Sequence, residues 1–341
     1  MPPSRKPLLA LALVPLLALA TACAGAGAGA STDADGTFVL KVTDPGNSGP
    51  LAVGKRDGTF DEALAPLGAR IEWVPSTPGF SSNLKLFNTK QLDVSDGAYS
   101  PVVGAMSKDV GVRIIAVADP VGKDRNGIIA TPQSGIRSVR DLVGKRVAVN
   151  PAGKGEYMTL QALAQAGIPP EKVERVPLQQ ADATSAFAAG QVDAWASFNE
   201  PYEEAKANGG IEIATERSIG SVDNTVVAFR TEVLDSRPDV AATYLETLQH
   251  LTERQRVNPA DFENVFDKAG PRALSGDRLQ RALALGAQAA VPHYPDAEDA
   301  RDLESVADLF WRNHVIQRRI TAADVFYDLP ARLAEYRRGG A

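Results

Sequence analysis

Short apolar runs rich in β-branched residues recur along the chain, separated by stretches with helical periodicity. The first is Phe38-Val39-Leu40-Lys41-Val42-Thr43. Arg70 to Val74, Leu92 to Ser95, Arg113 to Val117, Gly127 to Ala130, Arg146 to Val149, Val173 to Leu178, Val192 to Trp195 and Val226 to Phe229 follow. Runs of this length bounded by turn residues predict buried strands. Between them lie patterns such as Glu156 to Ala166, which predicts a helix closed by Gly167 at its C-terminal position. Beyond about residue 236 the pattern is almost entirely helical. Alternation of strand and helix implies an α/β fold with mostly parallel sheets.

The chain also echoes itself. At an offset of 100 residues Phe87 matches Phe187, Gln91 matches Gln191, Asp93 matches Asp193, Pro101 matches Pro201 and Ala105 matches Ala205. Both copies read as helix, turn, short strand, loop and helix. Two similar α/β lobes would each place such a loop at the carboxyl end of a strand, where open α/β sheets take their ligands.

The N-terminus stands apart from this pattern. Arg5 and Lys6 precede the apolar run Leu8 to Ala20, which is short for a membrane span and right for the core of a signal peptide. Residues 1–22 are therefore expected to be a signal peptide. Ala20-Thr21-Ala22-Cys23 resembles the lipobox of bacterial lipoproteins, in which the cysteine is acylated, although Leu19 stands four places before Cys23 where that family has Leu at three. Ala20-x-Ala22 equally suits an ordinary signal peptidase cutting the same bond. Cys23 is the only cysteine, so no intramolecular disulfide can form. The Ala/Gly repeat after it cannot bury apolar surface, and residues 23–36 read as a flexible tether. The formal net charge of −6 becomes −8 once Arg5 and Lys6 are removed. That excludes a general nucleic-acid binder, which needs a basic face.

Two catalytic look-alikes fail on their neighbours. Gly46-Asn47-Ser48-Gly49-Pro50 has the shape of a serine nucleophile segment, but only the first strand and the signal precede it. Gly49 to Lys55 fits the spacing of a phosphate-binding loop, but Arg56 stands where a magnesium-binding hydroxyl is required. His250, His293 and His314 lie far apart and have no ligand spacing on a helix, so no metal and no cofactor is expected. What remains are junctions where small and polar residues open a helix. These are Asn47-Ser48-Gly49, Asp96-Gly97-Ala98-Tyr99-Ser100 and Asn150-Pro151-Ala152-Gly153-Lys154-Gly155. Unpaired N–H groups and the helix dipole at such junctions suit a small anion, and plain capping is the alternative at each.

Ser138-Val139-Arg140-Asp141-Leu142-Val143-Gly144-Lys145-Arg146-Val147-Ala148 resembles the S-x-x-D-L-x-G-K-x-V-A of periplasmic binding proteins for aliphatic sulfonates, taurine and nitrate. Ala181-Asp182-Ala183, Ala186-Phe187 and Gly190-Gln191-Val192-Asp193-Ala194-Trp195, continued by Pro201-Tyr202, resemble a narrower motif of the same family. The resemblance implies a type II periplasmic-binding-protein fold, α/β with two lobes and two hinge crossings near Asn126 and Asn224. Residues 37–125 and 223–341 would form one lobe, and 126–222 the other. It places ligand contacts at Asn47 and Ser48, at Tyr99 and Ser100, and at Gly153, Lys154, Gly155 and Glu156. Trp195, Ser197, Asn199 and Asn224 complete the expected set. The family usually has Ser or Thr where this chain has Lys154 and Glu156, and its loop before Pro201 is one residue shorter.

The expected function is non-enzymatic capture of a small, anionic organic solute such as an aliphatic sulfonate or taurine, and its delivery to an ABC permease. The protein would be a monomer on the outer face of the cytoplasmic membrane or in the periplasm, tethered through Cys23. Two rivals use the same fold, an enzyme of the pyrimidine-synthesis type and a sensory partner of a membrane receptor.

Overall fold

The computed structural model describes residues 32–76 and 79–339. The signal segment, Cys23 and most of the tether lie outside them. The chain runs β1 (Phe38–Thr43), α1 (Gly49–Asp57), α2 (Thr59–Leu64), β2 (Ala69–Val74), α3 (Leu84–Asn88), β3 (Val94–Ala98), α4 (Tyr99–Met106) and β4 (Val112–Ala118). It continues through β5 (Asn126–Ala130), β6 (Arg146–Val149), α5 (Lys154–Ala166), β7 (Glu174–Pro177), α6 (Gln180–Ala188), β8 (Ala194–Phe198), α7 (Glu200–Ala207) and β9 (Ile211–Thr215). Then come β10 (Thr225–Arg230), α8 (Thr231–Ser236), α9 (Pro238–Val257), α10 (Gly276–Gly286) and α11 (Ala297–Arg312), followed by two short helices.

The strands form two five-stranded sheets, ordered β2-β1-β3-β10-β4 and β7-β6-β8-β5-β9. This is the two-sheet α/β fold the sequence implies. In each sheet one strand opposes the rest: β10 is antiparallel to β3 and β4, and β5 is antiparallel to β8 and β9. Both are the strands by which the chain enters from the other sheet. The chain leaves β4 at its carboxyl end, so it meets the second sheet at the facing edge, and β5 must run away from that edge. The same holds for β10 on the return. The carboxyl ends of the parallel strands of both sheets therefore face one another.

The echo at offset 100 is structural. β3 and β8 hold the central position of their sheets. Asp93 and Asp193, which precede them, do the same work: Asp93 Oδ2 accepts from the Lys41 N–H at 3.0 Å, and Asp193 Oδ2 from the Arg146 N–H at 2.9 Å. Each peptide N–H also donates back to its partner strand, Asp93 to Lys41 and Asp193 to Arg146. The preceding helices end alike, with Gln91 donating to Leu86 and Gln191 to Ala186. Lys90 at φ 57° stands where Gly190 has φ 67°, so the first copy carries a side chain in the left-handed region that the second avoids.

Two details differ from the sequence reading. The central strands begin and end later than the apolar runs suggest, because Leu92 and Val192 are buried in the turns and the strands extend through polar residues. β9 was not expected; Ile211-Glu212-Ile213 alternates as an edge strand should, directly after the Gly209-Gly210 turn.

The apolar core is continuous across the junction of the sheets. Tyr99, Val102 and Val103 of α4 share a cluster with Tyr157 and Met158 of α5. Gly104 makes that approach possible, since a Cβ there would lie 2.3 Å from the carbonyl oxygen of Ala152.

The paired aspartates differ in burial, which yields a test. Asp93 pairs with Arg230 at 2.7 Å, with the two side chains 1% and 5% exposed; the Asp193–Arg146 pair is 25% and 42% exposed. Asp93→Ala should cost about 3 kcal/mol, because it breaks a buried ion pair, although Arg230 keeps its contact with Glu232. Asp193→Ala should cost about 1 kcal/mol, because water screens that pair. Urea midpoints measure both, and equal losses would refute burial as the difference.

Candidate functional site

A cavity of about 980 Å³ lies where the two sheets present their strand ends. Ser95, Asp96 and Gly97 of β3 and Thr225, Val226 and Val227 of β10 form its floor. The approach to α1 contributes Ser48 and Gly49, and the turn after β2 contributes Ser81 and Ser82. Asn126, Asn150, Lys154, Gln179, Gln180, Phe198 and Asn199 line it from the second sheet. α9 adds Tyr244, Leu248, Thr252 and Gln255, a stripe at helical spacing. A smaller chamber of about 440 Å³ shares Ser48, Asn199 and Thr225 with this cavity and carries Arg125, Glu200, Glu263, Arg278 and Arg281. There Glu200 pairs with Arg125 at 2.7 Å and with Arg278 of α10, joining the two halves across the opening. Burial, opposed by Arg125 and helped by Glu200, pushes the Glu263 carboxyl up to about 7.

Most of the wall is neutral and rich in donors. Ser48 is the N-cap of α1, with extended backbone and no side-chain cap, so the first-turn N–H groups of α1 have no side-chain acceptor. Among the described residues the hydroxyls of Ser48 and Ser81 have no hydrogen-bond partner, which leaves both for a bound molecule.

Lys154 is a different case. Its ammonium lies 2.7 Å from Glu216 and 3.7 Å from Asp223, two carboxylates whose side chains are fully buried. Burial alone would push the ammonium down, but Glu216 and Asp223 outweigh it and hold it above its ordinary value. Burial pushes the Asp223 carboxyl up despite Lys154 and Ser100. Ser100 donates to Asp223 from its N–H at 2.8 Å and its hydroxyl at 2.6 Å, Ser221 donates to Glu216 at 3.1 Å, and Asn126 donates to Glu216. The positive charge in the cavity wall is thus already spent on internal carboxylates.

Of the residues expected from the sequence, Ser48, Lys154 and Asn199 line the cavity. Asn199 sits at φ 59°, and its N–H donates to Asn126 Oδ1 at 2.8 Å. The structure places the others elsewhere. Asn47 brackets the loop after α9, accepting from Phe266 and Asp267 and donating to the Asp267 and Arg272 carbonyls. Tyr99 is fully buried and donates to Asp299 at 2.9 Å; burial and Asp299 together push its phenol up. Ser100 is committed to Asp223. Gly155 donates its N–H to Asn150 Oδ1 at 2.7 Å, so Asn150 caps α5 where an anion was expected. A Cβ on Gly155 would lie 2.6 Å from the Ala196 carbonyl, and one on Gly153 would lie 2.0 Å from Asn150 Nδ2. These glycines serve packing.

Glu156 accepts from the Ala152 N–H at 2.7 Å and from Arg175 at 3.3 Å, on the far side of the loop. Trp195 is 1% exposed and packs on Phe187 with ring centroids 5.8 Å apart, in the core of the second sheet. Ser197 is fully buried and accepts from Gln180. Asn224 is buried at the crossing, with its carbonyl accepting from Tyr99 N–H. Sequence reading missed the Ser81-Ser82 turn, Asp96 as a lining residue, and the α9 stripe. For the last the signal was present, in Tyr244, Thr252 and Gln255 on an otherwise apolar helix face.

Among the described residues one group has metal-like spacing: His293, Asp296 and Asp299 bring ligand atoms within 4.8 Å of one another. The two carboxylates hold the start of α11. Asp296 accepts from Glu298 and Asp299 N–H, and Asp299 accepts from Asp296 N–H and Tyr99, which makes a capping box for α11.

The sequence pattern described as NMT1/THI5 like matches residues 74–262. A protein from Escherichia coli named as an aliphatic sulfonates-binding protein is 30% identical over 74% of this chain and 77% of its own length. One of the same name from Bacillus subtilis is 29% identical over 58% of this chain; the match spans 59% of that protein. Among solved structures, the alkanesulfonate-binding protein SsuA from Xanthomonas axonopodis, bound to MOPS, superposes with a TM-score of 0.74. It is 22% identical, and the superposition covers 87% of this chain and 99% of that one.

Removing the Lys154 charge should damage the fold rather than ligand affinity alone. Lys154→Met strands two buried carboxylates and should cost about 3–5 kcal/mol at pH 8. Burial already raises the Asp223 carboxyl above its unfolded value, and with the cation gone that rise is no longer opposed by Lys154. The contribution of this acid is present at low pH and lost as pH rises, so stability rises as pH falls. Melting temperatures at pH 8 and pH 5 should show the variant regaining part of its loss at pH 5; a loss independent of pH would contradict this assignment.

Proposed function

The chain belongs to the NMT1/THI5-like family, and from that premise we propose that it captures a small organic solute outside the cytoplasm and delivers it to an ABC permease. The observation that carries this reading is the cavity itself. Both sheets wall it, neutral hydroxyl and amide groups line it, and its described lining residues include no histidine or cysteine. A non-covalent binding site needs such a wall. The named relatives are aliphatic sulfonate-binding proteins, and the solute class proposed here is the same, an organic sulfonate or taurine-like molecule.

The anionic end of the solute rests on the start of α1, at Ser48 and the following N–H groups. Dipole and hydroxyl donors do this without a basic side chain. Residues 37–125 and 223–341 act as one lobe and 126–222 as the other, closing by bending near Asn126 and Asn224. The mature chain is an exported monomer tethered through acylated Cys23, with residues 23–36 giving it reach.

A thermal-shift panel of sulfonates, taurine, nitrate, bicarbonate and pyrimidines tests the reading. A ligand at about 100 times its Kd stabilises by about 2.7 kcal/mol, enough to raise Tm by several degrees. Ser48→Ala should weaken the best hit by about 1 kcal/mol. If no compound shifts Tm, this class of solute is wrong. The anchor has its own test: Cys23→Ser should move the protein from the membrane to the soluble fraction, and retention in the membrane would refute acylation there.

A further inference from the structure

We infer that Asp96 selects the solute, and that the bound molecule presents a protonated nitrogen to this carboxylate while its anionic end lies at the α1 start. The inference rests on the solute-binding reading above and narrows it from anions in general to molecules carrying both charges.

The charges around the cavity are matched except at this point. Asp44 is paired with Lys55 at 2.5 Å, and Lys154 with Glu216 at 2.7 Å. Asp96 lines the floor, yet its carboxylate has no ion pair and no hydrogen bond from another described residue. It sits at the centre of the sheet, in register with Val227 of β10. The side chain is open to the cavity but enclosed by protein on its other sides, and that enclosure raises its pKa. A carboxylate so placed weakens the empty protein and repels a plain anion, so its place is explained by a cation that arrives with the ligand.

Tyr244 supplies a second, independent sign. It is 2% exposed, lines the same cavity, and stacks its ring on Phe60 at 5.1 Å. Its hydroxyl also lacks a partner among the described residues. The Tyr244 hydroxyl and the Asp96 carboxylate, both lining the cavity without a partner among the described residues, would give an ammonium two oxygen acceptors. The complementary donors, Ser48 and Ser81, carry no charge and suit an anion. A solute with opposite charges at its two ends satisfies both sets at once.

The test uses the mature chain and titration calorimetry with paired ligands. Taurine is compared with ethanesulfonate, and 3-aminopropanesulfonate with propanesulfonate, so that each pair differs only by the amine. At least one amine should bind ten-fold or more tightly than its partner. Asp96→Asn should abolish that preference and bind the simple sulfonate at least as tightly as the parent does, since the repelling charge is gone. The same variant should raise the Tm of the ligand-free protein, since it removes an unmatched charge; a lower Tm would mean that Asp96 has an internal partner and would overturn the inference. Equal binding of both members of each pair, or a preference that survives Asp96→Asn, overturns it while leaving the solute-binding reading intact. If neither sulfonates nor amines bind, both fail.

Discussion

The structure turns on two carboxylates buried where the chain passes between its sheets. Glu216 follows β9 directly and Asp223 precedes β10, and neither is exposed. Leaving two such charges in a low dielectric would cost several kcal/mol each, and one lysine cannot neutralise both. The remaining stabilisation comes from geometry. Asn126 reaches Glu216 from the other crossing, Ser100 reaches Asp223 from the start of α4, and Lys154 reaches both from the start of α5. The cluster therefore ties both crossings to both helices that flank the junction. A buried ionic group of this kind contributes little net stability, but it permits few alternative arrangements. The bending proposed above would have to carry it as a unit, with the region around Asn126 and Asp223 as its pivot.

That cluster also explains which parts of the site were legible in the sequence. The fold was legible because hydrophobic periodicity records burial directly. The edge strand β9 escaped because it is short and half-exposed, and the limits of β3 and β8 escaped because Asp93 and Asp193 bind backbone from the turn before each strand. The junction loops were also legible as places. Their side chains were not, because a sequence shows that a residue can donate or accept without showing whether a partner inside the protein has already claimed it. Asn47, Ser100 and Glu156 all have the right chemistry and are all consumed internally. Trp195 follows the same logic from the apolar side, since it fills the core beneath the loop.

The helix starts show how local the difference can be. α1 and α5 both open at the cavity after a strand of a parallel sheet. α5 has Asn150 three residues before its N-cap, and that amide takes the Gly155 N–H. α1 has Asn47 one residue before its N-cap, and that side chain turns outward to the loop at 266–272. One asparagine faces inward and closes a potential anion site; the other faces outward and leaves one open. Nothing in the composition of the two junctions distinguishes them.

A wall built this way also suits a protein that must release what it binds. A hydrogen bond from a neutral group contributes about 1 kcal/mol net, and one to a charged group about twice that. Holding a small solute at micromolar affinity requires about 8 kcal/mol. A handful of hydroxyl and N–H donors, with apolar contact from Phe198 and Leu248, reaches that range without a buried cation in the binding role. Because each contact is weak and the contacts come from both sheets, separating the sheets removes several at once. Under the proposed closure, affinity would fall as the sheets part, and a partner favouring the open form would discharge the ligand.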